Sequence, residues 1–344
     1  MPASHKRPLP LLGLLGLLLW GFPWACTPAP TPVQESGQTP KEPLPAIALG
    51  TPIPFDGTRA HAQLATVVAL GPRHPGSPAL AQLLDTLEEE LLALGFKTRR
   101  ETFSAKVPIT QATPEGTQTY TNLVADLPGP TKDSPMILVG GHIDTKFLGE
   151  SFVGANDGGS STVALIELAR GLASTQPRAL AWRVVFFDGE EAVNFTWLGK
   201  DNTYGSRRHA RELYKRGEDK RVGAVVVVDM IADMDLQLTW DDYSTKWLRQ
   251  IFWTAAKDLG LAKHVASARK RTLVKDDHLS FLDVGLEAVD LIDLDYGGPM
   301  RPYWHDDRDT LDKTSAASLE TFGRILTKGL LELEAEVQRR RRNR

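Results

Sequence analysis

The sequence predicts an α/β fold, a three-layer α/β/α sandwich in which helices cover both faces of a mostly parallel mixed sheet. Short apolar runs rich in β-branched residues, at 136–140, 184–187 and 225–228, are typical of parallel strands buried on both faces. Amphipathic segments with apolar residues at helical spacing alternate with these runs. Strands that alternate with helices in this way indicate a parallel sheet sandwiched between helices.

The individual elements follow in order along the chain. A helix is predicted over 78–95, with leucines at helical spacing and Gly95 placed to end it. Strands follow over 97–103 and 119–127, and then the buried strand that ends at Gly140. The remaining elements are a helix over 160–172, a strand over 181–188, a helix over 203–216, a strand over 222–229, a helix over 244–259, a strand over 286–291 and a closing helix over 315–339.

The N-terminal region is predicted to be an export signal followed by a tether. A basic segment at 5–7 precedes the apolar run 11–20, which is too short to span a bilayer. Cys26, the only cysteine, lies at the expected cleavage point and resembles the lipidated cysteine of a bacterial lipoprotein. The predicted organisation is a lipoprotein-type signal peptide, a Pro-rich tether and a single folded domain, over 1–26, 27–54 and 55–344.

These assignments predict an exported protein of the bacterial cell envelope, periplasmic or on the cell surface, held at a membrane by a lipid on Cys26. An ordinary signal peptide with an incidental cysteine is the alternative. A single cysteine excludes an internal disulfide. The net charge of −3 gives no electrostatic case for nucleic acid. We expect the arginines at 339–342 to be a solvated helix end, with contact to anionic lipid as the alternative.

Five side chains that could bind a metal follow the apolar runs or lie in loops between elements: His142, Asp157, Glu191, Asp229 and His305. Three of them come just after predicted buried strands, and ligand sites in open α/β sheets gather at the carboxyl ends of strands. Asp157 lies in a glycine-rich loop, where small residues allow the backbone to approach a metal closely. Carboxylate and imidazole ligands without thiolate suit a catalytic zinc with an open position better than a structural zinc.

Residues beside these positions have predicted supporting roles. Glu190 stands next to Glu191 after a strand, so one of the two can bind the metal while the other points into the cavity as an acid/base. Asp144 lies two residues after His142 and could orient its imidazole. Taken singly, each of these acids is more typical of a solvated loop. For His278 we predict a structural role.

Several segments are specific when they are taken together: Asp-Gly-Glu-Glu-Ala at 188–192 with Trp197, Tyr-Gly-Ser-Arg at 204–207, Asp-Asp-His at 276–278 and Trp-His at 304–305. With these segments the chain, from about residue 65 to the last helix, resembles the glutaminyl-peptide cyclotransferase branch of the M28 zinc-peptidase family. The resemblance implies a zinc aminopeptidase-like fold. It also implies a zinc-dependent acyltransferase that converts the N-terminal Gln of peptides to pyroglutamate and releases ammonia.

Carried over by position, the resemblance implies roles for individual residues. Asp157, Glu191 and His305 would ligate one zinc. Glu190 would be the acid/base that moves a proton from the substrate's α-amine to the leaving ammonia. The other implied residues are a hydrogen-bonded carboxylate pair and two walls of the substrate pocket: Asp229 with Asp277, and Trp197 with Trp304. The expected partners are peptides or proteins with an N-terminal Gln, and we predict a monomer.

Two other functions stay open at this point. The loop at 156–159 and the segment at 309–312 resemble ordinary M28 aminopeptidases at least as well. In such an enzyme His142 and Asp229 would complete a second zinc site, with Asp157 bridging the two metals. We therefore expect one zinc for a cyclotransferase and two for an aminopeptidase. A tethered binding protein that kept the fold and lost catalysis is the third alternative.

Overall fold

The computed structural model describes residues 50–343, so the predicted signal peptide, Cys26 and most of the predicted tether lie outside the described residues. Within this range the α-helices are α1 Gly57–Ala69, α2 Pro78–Ala93, α3 Gly159–Ser174, α4 Tyr204–Lys215, α5 Lys246–Asp258, α6 His278–Leu282 and α7 Ala316–Arg342. The strands are β1 Lys97–Lys106, β2 Thr117–Leu127, β3 Met136–His142, β4 Ala181–Phe187, β5 Val222–Asp229, β6 Trp240–Asp241, β7 Arg271–Thr272 and β8 Ala288–Ile292.

Six of these strands form one mixed sheet in the order β1-β2-β4-β3-β5-β8. β3, β4, β5 and β8 run parallel, whereas β2 pairs antiparallel with both β1 and β4. The predicted α/β fold class, with a mostly parallel mixed sheet between helices, is confirmed. The short strands β6 and β7 form a separate parallel pair.

Side chains of the central strands alternate between two apolar cores. Val184 and Phe186 of β4 pack in the core that contains α1, α2, α3, α5 and α7. Val185 and Phe187 of the same strand pack in the core that contains α4 and α6. Because alternate residues of a strand point to opposite faces of the sheet, such strands must be apolar throughout. Helices therefore cover both faces, and the carboxyl ends of the parallel strands stay open at one edge.

The main difference from the sequence prediction is α1, which the prediction omits. Asp56 caps this helix by accepting a hydrogen bond from the Arg59 amide at 2.9 Å. Ala60, Leu64 and Val67 recur at helical spacing and are buried. A capping Asp before apolar residues at this spacing is a helix start signal, so the helix was readable from the sequence. The other predicted elements are present, with ends shifted by a few residues.

The first described residues run along the end of α3. Any Cβ at Gly171 would come within 2.3 Å of the Pro54 carbonyl oxygen, which shows how closely the chain packs here. Arg178 donates a hydrogen bond to the Thr51 carbonyl oxygen at 3.2 Å. Since α3 leads into the amino end of β4, this segment lies at the edge of the sheet opposite the open carboxyl ends. No helix within residues 50–343 is long and apolar enough to cross a bilayer.

Candidate metal centre and active site

The open edge of the sheet brings several predicted site residues together. His142 is the last residue of β3 and Asp229 is the last residue of β5. Glu190 follows β4 after a tight turn at Gly189, which has a φ of 76°. A Cβ at Gly189 would lie 2.3 Å from the ring of Tyr120, so both the backbone conformation and the packing require glycine here.

One cluster of ligand-type side chains contains Asp157, Glu191 and His305, whose candidate ligand atoms lie within 4.8 Å of one another. His305 Nε2 is 3.2 Å from Glu191 Oε1 and 3.5 Å from Asp157 Oδ2. The backbone of His305 has a φ of 53°, a left-handed conformation that is uncommon for a residue with a side chain. Such conformations concentrate at functional sites, where the surrounding structure holds them.

A second cluster contains His142, Asp157 and Asp229, again with candidate ligand atoms within 4.8 Å. His142 Nε2 is 3.0 Å from Asp229 Oδ1 and 3.3 Å from Asp157 Oδ1. Asp157 therefore belongs to both clusters and turns one carboxylate oxygen toward each histidine. The five predicted ligands form one continuous site, with Asp157 at its centre.

The chemistry of these clusters fits a bound metal. Asp157 Oδ2 and Glu191 Oε1 are buried and have no hydrogen-bond partner within the described part of the chain. Buried carboxylate oxygens without partners are costly, and a cation held between them would satisfy both. Nitrogen and oxygen donors without thiolate suit a catalytic zinc. Asp157, Glu191 and His305 therefore fit the predicted zinc ligands.

The loop that carries Asp157 is held by Asp309. The Asp309 carboxylate accepts hydrogen bonds from the Asn156 amide at 2.9 Å and from the Asp157 amide at 3.0 Å. Tyr296 donates its hydroxyl hydrogen to the same carboxylate at 2.6 Å. Burial raises the pKa of Asp309 to about 7, and the negative charge of Asp157 adds to this effect. Asp309 thus orients the candidate ligand Asp157 through the backbone and belongs to neither cluster of candidate ligands.

Asp144 supports the site in a way that differs from the expectation. The ring nitrogen Nδ1 of His142 lies 3.1 Å from the backbone carbonyl oxygen of Asp144 and 3.6 Å from its carboxylate. That carboxylate instead accepts hydrogen bonds from the amides of Glu190 at 3.2 Å and Glu191 at 3.4 Å. Asp144 therefore orients the imidazole mainly through its main chain, and its side chain fixes the two glutamates.

The two adjacent glutamates have opposite electrostatic surroundings. Burial raises the pKa of Glu190 well above its usual value, and the neighbouring charges of Glu191 and Asp276 add to this effect. Burial also acts to raise the pKa of Glu191, but His305 and Lys146 outweigh it and lower that pKa to about 2. The Lys146 Nζ is 3.4 Å from the Glu191 carboxylate. Glu191 is therefore suited to ligation and Glu190 to proton transfer.

A cavity of about 510 Å³ opens beside these residues. Its volume lies within the range typical of small-molecule sites, about 300–1,000 Å³. Glu190 lines the cavity, together with Trp197 and Trp304, the two predicted pocket walls. The Trp304 ring stacks on the His305 ring with centroids 4.3 Å apart. The indole nitrogen of Trp197 is buried and has no hydrogen-bond partner among the described residues.

The predicted carboxylate pair is arranged differently from the expectation. Asp229 and Asp276 line the cavity, but Asp277 does not. Burial raises the pKa of Asp276 to about 6, and the charge of Asp229 is the next largest cause. Asp277 is fully buried just before α6. The structure thus places Asp276, rather than Asp277, beside Asp229 on the cavity wall. Consecutive residues at a helix start point in different directions, and the sequence does not show which one faces a cavity.

A model of peptidase family M28 matches residues 122–329 of the chain. All five candidate metal ligands fall within these residues. The chain belongs to peptidase family M28. The resemblance inferred from the sequence is thereby confirmed at the family level, and the M28 assignment agrees with a site built from carboxylates and imidazoles at the carboxyl ends of the sheet.

Solved structures similar to this M28 chain include bacterial glutaminyl cyclases. The enzyme of an Acidobacteriales bacterium is 33% identical, with a TM-score of 0.75 over 85% of this chain and 99% of that chain. The glutaminyl cyclase of Fimbriiglobus ruber is 25% identical, with a TM-score of 0.69 over 82% of this chain and 96% of that chain. A Zn-dependent exopeptidase of Parabacteroides distasonis shares the fold, at 22% identity and a TM-score of 0.69 over 80% of this chain and 98% of that one.

A curated relative of this M28 chain is an uncharacterized protein of Saccharomyces cerevisiae. The two are 26% identical over an alignment of 241 positions, and the match covers 57% of this chain. The match spans 64% of the length of the yeast protein. This similarity carries no information on substrate.

Sequence reasoning missed two residues that shape this M28 site, Asp309 and Lys146. Asp309 stands in the segment 309–312, which resembles M28 aminopeptidases, but neither residue has a spacing that distinguishes it from an ordinary loop residue. Lys146 is buried and also donates a hydrogen bond to the Ala192 carbonyl oxygen at 2.8 Å. His278, predicted to be structural, is buried away from the cavity, with Nε2 3.3 Å from Asp241 Oδ2.

Proposed function

We propose that this M28 protein is a zinc-dependent glutaminyl-peptide cyclotransferase, which converts the N-terminal Gln of peptides to pyroglutamate and releases ammonia. The observation that carries the proposal is the 33% identity to the Acidobacteriales glutaminyl cyclase, which extends over 99% of that enzyme. Because this similarity extends over the whole enzyme, it includes the segments that form the site as well as the rest of the fold. The cavity walls and the glutamate pair support the same assignment.

The proposed metal ligands are Asp157, Glu191 and His305, because two of their buried oxygens have no partner in residues 50–343. A zinc ion bound there would supply a Lewis acid for the γ-carboxamide of the substrate. The aromatic walls Trp197 and Trp304 would hold the glutamine so that its own α-amine faces that carbon. An intramolecular attack of this kind depends on orientation more than on a strong nucleophile.

Glu190 would move the proton in this reaction. Its carboxyl group lines the cavity and is buried, and its backbone amide is fixed by Asp144. As the cyclic amide forms, Glu190 would take a proton from the attacking α-amine and deliver it to the departing ammonia. Asp229 and Asp276 lie on the same wall of the cavity. Their carboxyl groups would accept hydrogen bonds from the substrate's α-amine, which attacks in its uncharged form.

An M28 aminopeptidase is the second candidate, and the cluster of His142, Asp157 and Asp229 favours it. These residues could hold a second ion with Asp157 between the two metals. A pair of metals would suit the activation of water for peptide hydrolysis. We propose one zinc, because cyclisation by an intramolecular amine needs no activated water. His142 and Asp229 would then act through the hydrogen bond between them, whose atoms are 3.0 Å apart.

The test is to incubate the protein with a peptide that begins with Gln and to record the mass of the product. Loss of one ammonia from the peptide is the expected result. Release of the N-terminal residue would instead identify an aminopeptidase. An unchanged peptide, with zinc present, would favour the tethered binding protein.

The location of the protein follows from the sequence alone and is also a proposal. We infer export to the bacterial cell envelope, with a lipid on Cys26 holding a monomer at a membrane. The position of Thr51 is compatible with this arrangement, because it lies at the sheet edge opposite the cavity. A tether that leaves from that edge would keep the cavity open to peptides.

A further inference from the structure

The mouth of the cavity holds a large share of the exposed apolar side chains. Ten large apolar side chains are exposed within residues 50–343, and five of them belong to three segments around this cavity: Phe195, Leu198, Leu273, Met300 and Trp304. Three of the five line the cavity directly, namely Phe195, Leu273 and Trp304. Exposed apolar side chains that gather in one place mark binding surfaces, whereas scattered ones need no explanation.

Phe195 and Leu273 form the most exposed part of this wall. Their exposed fractions are 76% and 62%. Phe195 lies between β4 and α4, and Leu273 lies between β7 and α6, so two distant segments each place an apolar side chain at the same mouth. Behind them the wall continues with Ile292 and Leu294. An apolar surface of this kind binds an apolar group of a ligand.

Among the described residues that line the cavity, Lys275 has the only basic side chain other than the candidate ligand His305. It is exposed, and it makes no ion pair or hydrogen bond with any other described residue. The other ionisable groups on the wall are acids: Asp157, Glu190, Glu191, Asp229 and Asp276. A lone ammonium group at the mouth favours a ligand that carries a carboxylate outside the site of reaction.

We propose that Phe195, Leu273 and Lys275 form a subsite for the peptide residues that follow the N-terminal Gln. The proposal rests on the proposed function. The α-amine and the γ-carboxamide of the glutamine must both lie near Glu190. The rest of the peptide therefore leaves the cavity past the exposed apolar wall. The preferred substrates carry a large apolar residue in second position and an acidic residue, rather than a basic one, in third position.

The experiment compares four amidated tripeptides that differ only at these two positions: Gln-Phe-Ala, Gln-Gly-Ala, Gln-Phe-Glu and Gln-Phe-Lys. Ammonia release by the zinc-loaded full chain gives kcat/KM for each. We expect Gln-Phe-Ala to exceed Gln-Gly-Ala by about tenfold, as partial burial of an aromatic side chain predicts. We expect Gln-Phe-Glu to exceed Gln-Phe-Lys by about threefold, because an exposed ion pair contributes little.

Variants test which residues produce the preferences at the second and third peptide positions. The double variant Phe195→Ser with Leu273→Ser should bring the Phe-to-Gly ratio close to one, and Lys275→Glu should reverse the Glu-to-Lys ratio. The matched controls are Leu92→Ser, which removes an apolar side chain that is 54% exposed on α2, and Lys132→Glu in the loop between β2 and β3. Both controls should leave the two ratios as they are in the parent.

Equal kcat/KM for all four peptides in the parent would overturn the subsite while leaving the proposed function intact. The same conclusion would follow if the controls changed the ratios as much as the subsite variants do. If none of the peptides loses ammonia, the proposed function fails, and the subsite fails with it.

Discussion

Two neighbouring carboxylates, Glu190 and Glu191, have different contacts, and this difference suits them to the two roles proposed for them. His305 and Lys146 lower the pKa of Glu191 against the effect of burial, so this group is held as a carboxylate. Within residues 50–343, the one cationic side chain beside the Glu190 carboxyl group is His142, at 4.0 Å. A difference of this kind between two acids supports the proposed roles of Glu191 in ligation and Glu190 in proton transfer.

Substitution of Glu190 tests this division. We expect Glu190→Gln to keep the zinc and the fold but to lower the initial rate by about 100-fold or more, because proton transfer is lost and ligation is not. Zinc content and circular dichroism are measured beside the rate. A variant that loses its zinc in proportion to its activity would show that the roles of Glu190 and Glu191 are exchanged.

The number of metals can be decided at His142 and His305. We expect about one zinc per chain in the parent protein, retained in His142→Ala and lost in His305→Ala, since a catalytic site needs three protein ligands and one open position. Elemental analysis of the three proteins measures this. Two zincs in the parent, falling to one in His142→Ala, would contradict the single-metal proposal and favour the aminopeptidase.

At the scale of elements, the loops that follow the strands are held by buried side chains from other parts of the chain. Arg73 is one example, since it is fully buried and donates to the carbonyl oxygens of Val153 at 2.7 Å and Gly154 at 2.9 Å. Asp309 is another, because its carboxylate accepts hydrogen bonds from the Asn156 and Asp157 amides of the same loop. The loop that carries Asp157 therefore depends on residues that do not line the cavity.

Removal of Asp309 should weaken metal binding without removing a ligand. We expect Asp309→Ala to lower the free energy of unfolding by about 1–3 kcal/mol, since two buried amides lose their acceptor. Zinc affinity should fall by about 10–100-fold, the usual effect of losing a group that orients a ligand. Denaturant unfolding and competition with a chelator measure the two quantities. The control is Asp312→Ala, whose side chain is 67% exposed.

An unchanged zinc affinity in Asp309→Ala, with reduced stability, would mean that Asp309 supports the fold alone. A loss of affinity equal to that in His305→Ala would point instead to direct ligation by Asp309.

The contact between Glu101 of β1 and His209 of α4 makes the free energy of unfolding depend on pH. Burial acts to raise the pKa of Glu101, but the hydrogen bond with His209, 2.7 Å long, and the charge of Arg99 outweigh it and lower that pKa to about 2. Folding therefore favours the carboxylate. The resulting stabilisation is lost as the pH falls from the ordinary pKa of 4.5 toward 2. Burial lowers the pKa of His209, so the part of the stabilisation that depends on a protonated His209 is also lost as the pH rises above that pKa.

We expect the difference in unfolding free energy between the parent and Glu101→Gln to shrink by on the order of 3 kcal/mol across this interval. Urea unfolding at a series of pH values measures it. The control is Glu89→Gln, at an exposed position on α2. Its unfolding free energy should depend on pH in the same way as that of the parent. If the difference in unfolding free energy between the parent and Glu101→Gln does not change with pH, the pH dependence does not arise from Glu101.

At the scale of the whole molecule, the sheet separates the site from the start of the described chain. The site lies at the carboxyl ends of the parallel strands, whereas Thr51 lies near the amino end of β4. The seven residues of β4 alone span about 23 Å at the usual rise per residue. The start of the described chain is therefore separated from the cavity by the length of the parallel strands.

Attachment through Cys26 can be tested apart from catalysis. If this cysteine is acylated, the native protein should partition into detergent, and Cys26→Ser should move it to the soluble fraction with its specific activity unchanged. Phase partition followed by an activity assay measures both. Equal solubility of the two forms would mean a secreted enzyme without a lipid.

The sequence by itself determined the fold class and the set of candidate ligands. Its strands are apolar on both faces because each is covered on both sides, and this requirement is visible as continuous apolar runs at β3, β4 and β5. The candidate ligands were predicted because the residues just after such strands meet at one edge of a parallel sheet. Both features follow from local pattern.

Only the tertiary structure decided which neighbours act together. Asp157 lies between two histidines that stand 15 residues before it and 148 residues after it in the chain, and no spacing rule predicts that contact. The choice of Asp276 over Asp277 depends on which way a helix start faces, and the role of Asp309 depends on its contact with a distant loop. Packing between remote segments fixes the distances between these side chains and their burial. Distance and burial in turn determine which groups are charged and which can bind a metal. A pattern along the chain does not contain these distances.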